Sequence, residues 1–407
     1  MSHMDILSRL AVKNNSKIVL LVMDGVGGIH TPDQPGTELE MANTPNLDQL
    51  AREGCCGRSM PISYGITPGS GPGHLGLFGY DPLDPAYDIG RGVLEVLGIN
   101  FELRKSDVAA RGNFCDVDEN GVITNRRAGR LPTEECVKIC SELQEKVPEI
   151  DGVKVMVMPV KEYRFAIVLR GEGLAPFIED TDPQQVGFKP KPIAAKKDTP
   201  ETRRTVEILE KLTARFYEIL HPRSTANSML LRGFSSHPGM PTFQELYQLT
   251  PAAIATYPLY RGVATLAGMD ILKTGAEIAD EFTTLEENWD RFDFFFLHVK
   301  KTDSYGEDGN SEGRIKIIEE TDREIPRLLA LKPDVIAVTG DHSTPPQMKG
   351  HSWHPVPYLL RAEFCDTDDV EAYNESACNH GRLGNFPAQN IMEMLLACSG
   401  KLKKYGA

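Results

Sequence analysis

The chain has 407 residues, 41% of them hydrophobic and 25% charged, with a formal net charge of −14. That length exceeds one ordinary core and favours two domains, or one large domain carrying an insertion. The acidic balance argues against a general nucleic-acid binder, no apolar run reaches the length of a membrane span, and residues 1–17 lack the continuous apolar stretch of a secretory signal.

"KIVLLVMDGVGG" (17–28) reads as a buried strand ending at Asp24, followed by a glycine-rich turn. "NTPNLDQLAREG" (43–54) reads as a helix: Asn43 or Thr44 can cap it, Pro45 suits its first turn, and Gly54 suits its stop. "YGITPGSGPGHLGLFGYDP" (64–82) is dense in Gly and Pro and reads as a loop that lets backbone approach a ligand closely. "RGVLEVLG" follows as a short helix. Eight cysteines are scattered without a CxxC pair, which fits buried thiols in a reducing cytoplasm better than a zinc site.

From about 104 to 220 the texture changes to α+β. "RGNFCDVDENGVITNRRAGRL" predicts a hairpin turning at Glu119-Asn120-Gly121, and "TEECVKICSELQEKV" has helical spacing. Two strand-like runs, a Pro- and Lys-rich loop and the amphipathic "ETRRTVEILEKLTARFYEIL" complete the segment. From about 225 strands alternate with helices again: "SMLLRG", "AAIATY", "DFFFLHVKKTD" and "DVIAVTGD" read as strands. The expected architecture is therefore a discontinuous α/β core over 1–103 and 221–407. Its sheet is mainly parallel with helices on both faces, and a smaller α+β domain is inserted at 104–220.

Three apolar strands end in an acid, at Asp24, Asp303 and Asp341, and the last is followed by His342. An Asp after a strand ordinarily caps a turn. Three of them on parallel neighbours would converge at the carboxyl edge of the sheet, where ligands of such folds gather. Clustered carboxylates repel unless protonated or bridged by cations. Adding His342 and His351 gives mixed oxygen and nitrogen ligation that suits Mn²⁺ or Zn²⁺, with Mg²⁺ as a further candidate. Ser70, within "TPGSGPGH", is a candidate nucleophile for phosphoryl chemistry. Arg126, Arg127 and Arg130 of "NRRAGR", with Arg164 and Arg261, are candidate anion-binding forks.

"MDGVGG", "ANTPNLDQLAREG", "GSGPGHLGLFGYDP", "TDSYGEDGN", "TGDHSTP" and "HSWHPVP" together resemble the alkaline phosphatase superfamily. More closely they resemble its archaeal-type, cofactor-independent phosphoglycerate mutases. The resemblance implies an alkaline-phosphatase-like core with two divalent metal ions and an inserted substrate-binding domain. It also implies transfer of phosphate between the 3- and 2-positions of glycerate through a phosphoserine, without bisphosphoglycerate. On that pattern Asp24, Ser70, Asp341 and His342 surround one metal, and Asp303, Glu307 and His351 hold the other. His351 rather than His354 fits the motif. The family typically has His where this chain has Glu307, which tilts the expected metal toward Mn²⁺ or Mg²⁺. A phosphomonoesterase or phosphonate hydrolase on the same core, and an inactive metal-binding homologue, are the alternatives. A cytoplasmic location and a small phosphorylated carboxylic acid as substrate are expected, with no nucleic acid or membrane; the sequence does not give the oligomeric state.

Overall fold

The computed structural model describes residues 3–87, 89–99 and 101–406. It divides into two compact units, Met1–Asp88 with Met240–Ala407, and Ile89–Gly239. In chain order the strands are β1 (Ile18–Met23), β2 (Cys55–Met60), β3 (Asp107–Val117), β4 (Ile123–Asn125), β5 (Glu149–Ile150), β6 (Val153–Lys161) and β7 (Arg164–Arg170). They continue as β8 (Ser228–Ser235), β9 (Pro251–Ala255), β10 (Asp270–Leu272), β11 (Phe294–Val299), β12 (Val335–Thr339), β13 (Val356–Ala362) and β14 (Gly384–Pro387).

The first unit is built on an eight-stranded sheet of order β10-β9-β11-β1-β12-β13-β2-β14. β1 lies at its heart, parallel to β11 on one side and β12 on the other. All six residues of β1 are buried, because both faces of the sheet are covered and no polar face is needed. Val19, Leu21 and Met23 join Phe295 and Leu297 of β11 in a core with helices Pro45–Arg52, Ile278–Asn288 and Ser311–Ala330. The alternate residues face the other way, where Phe296 meets Phe78 at 5.0 Å between ring centroids. Only β13 breaks the parallel pattern, running antiparallel to both β12 and β2.

The second unit is an antiparallel sheet of order β4-β3-β7-β6-β5, with β8 also pairing with β3. Its core joins β3, β6 and β7 to helices Thr133–Lys146 and Pro200–Leu220. The expected turn is present: Gly121 has φ +74° and its N–H donates to the Asp118 carbonyl at 3.0 Å.

Three expectations differ. "SMLLRG" is β8, and it belongs to the second unit because it pairs antiparallel with β3. Helix Arg91–Gly98 packs on β3, β7 and β8. Together these carry the compact unit from Ile89 to Gly239, beyond the 104–220 read from composition. Residues 70–77, read as part of a loop, form a helix. Pro72 falls in its first turn, where a proline costs nothing.

Candidate metal centre

The register of the central strands sets the site. Met23 pairs with Val299 and Val22 with Thr339, so β11, β1 and β12 end together. Asp24 follows β1 directly, Asp341 lies two residues past β12, and Asp303 sits in the first turn of helix Lys301–Glu307 after β11. The three acids and His342 are all buried.

Two groups of side chains present ligand atoms within 4.8 Å of one another: Asp24, Asp341 and His342, and Asp303, His342 and His351. His342 belongs to both. Its Nε2 lies 3.1 Å from Asp341 Oδ2, 3.4 Å from Asp24 Oδ1 and 3.5 Å from Ser70 Oγ. The His351 ring stacks on it at 3.6 Å. His351 Nδ1 donates to the Pro68 carbonyl at 2.9 Å, which turns Nε2 toward Asp303 Oδ1, 3.5 Å away. Both Asp24 oxygens and Asp341 Oδ2 are buried and make no well-aligned hydrogen bond, although Lys300 Nζ and His74 Nδ1 stand at ion-pair distance from two of them. Buried carboxylate oxygens normally make such a bond. Clustered buried carboxylate oxygens with lone pairs to spare, beside imidazole nitrogens, fit a divalent cation.

Protein cations face the same oxygens. Lys300 Nζ lies 3.0 Å from Asp24 Oδ2 and 2.5 Å from Asp303 Oδ2. Burial and the Asp341 charge work to raise the Asp24 carboxyl, but Lys300 and His298 outweigh them and hold it below its ordinary value. Burial likewise opposes ionisation of Asp341, and His342 and His74 more than reverse it, so it stays well below the usual carboxylate range. Burial works against the His342 imidazolium, but Asp341, Asp24 and Asp303 push it up to about 9.

Ser70 opens helix Ser70–Leu77 and is half-buried. A Cβ on Gly73 would meet the Asp341 carbonyl at 2.4 Å, so only glycine lets this helix come so close to the Asp341 loop. His74, one turn beyond Ser70, has Nδ1 2.8 Å from the Ser70 carbonyl and 3.1 Å from Asp341 Oδ2. Both partners are acceptors, so Nδ1 carries the proton and braces serine and acid together.

Asp24, Ser70, Asp303, Asp341, His342 and His351 are thus brought together. Glu307 is not among the converging atoms: its side chain is 55% exposed and its Oε1 lies 3.8 Å from His351 Nε2. His354 is turned to Ser352 instead. Arg261 is half-buried on helix Pro258–Leu266, which packs against the Ser70 helix. In the second unit Arg126 grips buried Asp182 through two bonds, at 3.0 and 2.7 Å. Arg127 and Arg130 are exposed, and Arg164 lies beside the Tyr163 ring.

The sequence reading missed several side chains. Lys300 stood in plain view in "HVKKTD"; His74, expected as a packed or hydrogen-bonded loop residue and not a ligand, is hydrogen-bonded but lies on the helix, one turn from Ser70. Arg111 and Arg232 pair across β3 and β8, and Asn113 pairs with Arg164 across β3 and β7. Strand alternation therefore puts Arg111, Arg164 and Arg232 on one sheet face.

The fold, a mainly parallel α/β core interrupted by a smaller α+β unit, is shared with two solved structures. A protein of Pyrococcus horikoshii superposes with a TM-score of 0.81 at 28% identity, over 97% of this chain and 100% of that one. The cofactor-independent phosphoglycerate mutase of Thermoplasma acidophilum superposes with a TM-score of 0.72 at 28% identity, over 95% and 100%. The family model described as 2,3-bisphosphoglycerate-independent phosphoglycerate mutase matches residues 51–225. Two relatives described as probable enzymes of that name are 52% identical (Thermosipho melanesiensis; 99% of this chain, 98% of the relative) and 50% identical (Aquifex aeolicus; 99% and 100%). The chain belongs to the 2,3-bisphosphoglycerate-independent phosphoglycerate mutase family.

Proposed function

We propose that this chain interconverts 3-phosphoglycerate and 2-phosphoglycerate without a bisphosphoglycerate cofactor, through a phosphoserine at Ser70. The observation that carries the reading, beside family membership, is the place of the Ser70 Oγ, 3.5 Å from His342 Nε2 where the buried carboxylates and imidazoles meet. Asp24, Asp341, His342 and Ser70 would hold one divalent ion, and Asp303 and His351, with Glu307 at the edge, the other. When bound, such ions lower the pKa of a serine hydroxyl and draw charge from phosphoryl oxygens. The mixed donor set, rich in carboxylate, favours Mn²⁺ over Zn²⁺ or Mg²⁺.

The chain's own groups then do the following. Ser70 Oγ attacks the phosphorus of 3-phosphoglycerate in line, the bond from phosphorus to the 3-oxygen breaks, and that oxygen takes up a proton as Ser70 gives one up. The 2-hydroxyl of the held glycerate attacks the phosphoserine, loses its proton, and returns Ser70 to its hydroxyl form. Ser70 stands at the N-terminal end of its helix, the end that favours negative charge. The guanidinium groups of Arg127, Arg130, Arg164 and Arg261 bind carboxylate and phosphate oxygens, and Arg126 holds the segment that carries its neighbours.

An enolase-coupled assay on chelated protein, with each metal restored in turn, tests this reading. Turnover is expected to return with Mn²⁺ and to yield 2-phosphoglycerate. Inorganic phosphate without 2-phosphoglycerate would make the chain a hydrolase. Ser70→Ala should lose at least about 1,000-fold in turnover with its fold intact.

A further inference from the structure

We propose that Thr344 is a positioning residue whose hydroxyl ties the two ligand groups together, holding His342 in the tautomer that presents Nε2 and fixing Asp303 beside it. The inference rests on the metal-dependent reading above and extends it beyond the ligands.

Thr344 is fully buried. Its Oγ1 lies 2.7 Å from Asp303 Oδ1 and 2.9 Å from His342 Nδ1. A hydroxyl has one proton, and an ionised carboxylate only accepts. The Thr344 O–H therefore donates to Asp303, and its lone pair accepts the Nδ1–H of His342. With Nδ1 so engaged, the free lone pair of a neutral His342 ring is on Nε2, which faces Asp24, Asp341 and Ser70. Asp303 belongs to one group and His342 to both, so a single hydroxyl joins them.

The hydroxyl cannot wander. The Thr344 N–H donates to the carbonyls of Gly25 and Gly27 at 3.0 and 3.1 Å. Its own carbonyl accepts Arg314 Nη1 at 2.8 Å, and Nη2 of the same buried guanidinium reaches the Gly25 and Gly27 carbonyls at 2.6 and 3.0 Å. Arg314 and Thr344 thus lock the loop after β1 to the loop after β12. Gly25 has φ +63°, and a Cβ there would stand 2.4 Å from Thr344 Oγ1 and 3.0 Å from Asp303 Oδ1. The glycine keeps open the space in which the hydroxyl bridges.

The test is Mn²⁺ titration of chelated wild type, Thr344→Val and Thr344→Ser, read from the electron paramagnetic resonance signal of free Mn²⁺, with circular dichroism as the fold control. Thr344→Val, close to isosteric, is expected to weaken Mn²⁺ binding by about 10- to 100-fold, and Thr344→Ser to return within about threefold of wild type. A wild-type isotherm for Thr344→Val, or a Thr344→Ser protein as weak as the Val variant, overturns the proposal. Should Thr344→Val not fold, the Ser and Ala variants decide, since both lack the methyl and only Ser keeps the hydroxyl; equal affinities for these two also overturn it. The two readings fail separately. Wild type that binds Mn²⁺ in a Thr344-dependent way but makes no 2-phosphoglycerate sinks the function and leaves the tether standing.

Discussion

Asp182 has no solvent exposure at its side chain and meets two guanidinium groups, Arg126 at 2.7 Å and Arg232 at 3.4 Å. Burial pushes its carboxyl up, but Arg126, the Gln184 N–H and Arg232 bring it below its ordinary value of 3.8. A depressed carboxyl contributes stability that is present above the unfolded value and lost as pH falls through the folded one. Arg126→Ala removes the bidentate partner and leaves Arg232, so the expected loss is about 2–3 kcal/mol at pH 7. Urea denaturation should show that loss in full at neutral pH and shrinking as pH falls, because protonating Asp182 removes the charge that Arg126 stabilises, and does so first in the variant, where burial is less opposed. A gap that stays constant into the acid range, past the ordinary value of 3.8, would assign it to something other than the Asp182 charge. The sequence reading took Arg126 for an anion binder, and its anion proves to be a side chain of the same chain. Its identity was hidden because Asp182 is 56 residues away, and no local pattern marks that distance. Asp24, Asp341 and His342 were legible for the opposite reason: they stand within three residues of the end of a buried strand, and strand parallelism does the rest.

Helix Ser70–Leu77 is a case where two effects of one glycine oppose each other. Replacing a mid-helix glycine with alanine ordinarily stabilises a helix by about 1 kcal/mol. At Gly73 the new methyl would sit 2.4 Å from the backbone oxygen of Asp341, and backbone cannot swing aside as a side chain can. Overpacking of this kind costs about 1–3 kcal/mol, so it should win. Gly73→Ala is expected to lower the thermal midpoint and, by pushing Ser70 away from His342, to lower kcat more than it raises KM. A stabilised variant with unchanged kcat would show that the approach of helix to loop is not needed. This element was misread as loop because its glycines and prolines are the usual punctuation of turns. Here they serve close packing of a helix against the Asp341 loop. β1 and β12 are as the sequence predicts, since an unbroken run of apolar residues needs no knowledge of its partner; β11 is the expected strand but ends at Val299, and Asp303 stands in the helix that follows rather than at the strand's tip. β8 is the strand its sequence predicts but lies in the other sheet: its apolar run looks like theirs, and only pairing with β3, over a hundred residues earlier, assigns it.

Across the whole molecule, the two units have separate hydrophobic cores. Both candidate ligand groups lie in the unit formed by Met1–Asp88 and Met240–Ala407, and none of their members is in Ile89–Gly239. A ligand stabilises the state that binds it, by about 2.7 kcal/mol at a hundred times its dissociation constant. That stabilisation should be local to the structure whose opening breaks the site. Hydrogen exchange with and without Mn²⁺ is therefore expected to slow in peptides covering 18–28, 70–77, 301–307 and 335–351. Peptides from β3, β6 and β7 should exchange at unchanged rates. Equal slowing in both units would mean that they open as one cooperative body. Slowing confined to the second unit would move the cation site away from the edge formed by β11, β1 and β12. Slowing in 18–28 and 335–351 without 301–307 would leave Asp303 outside the site, and with it the second of the two metal positions.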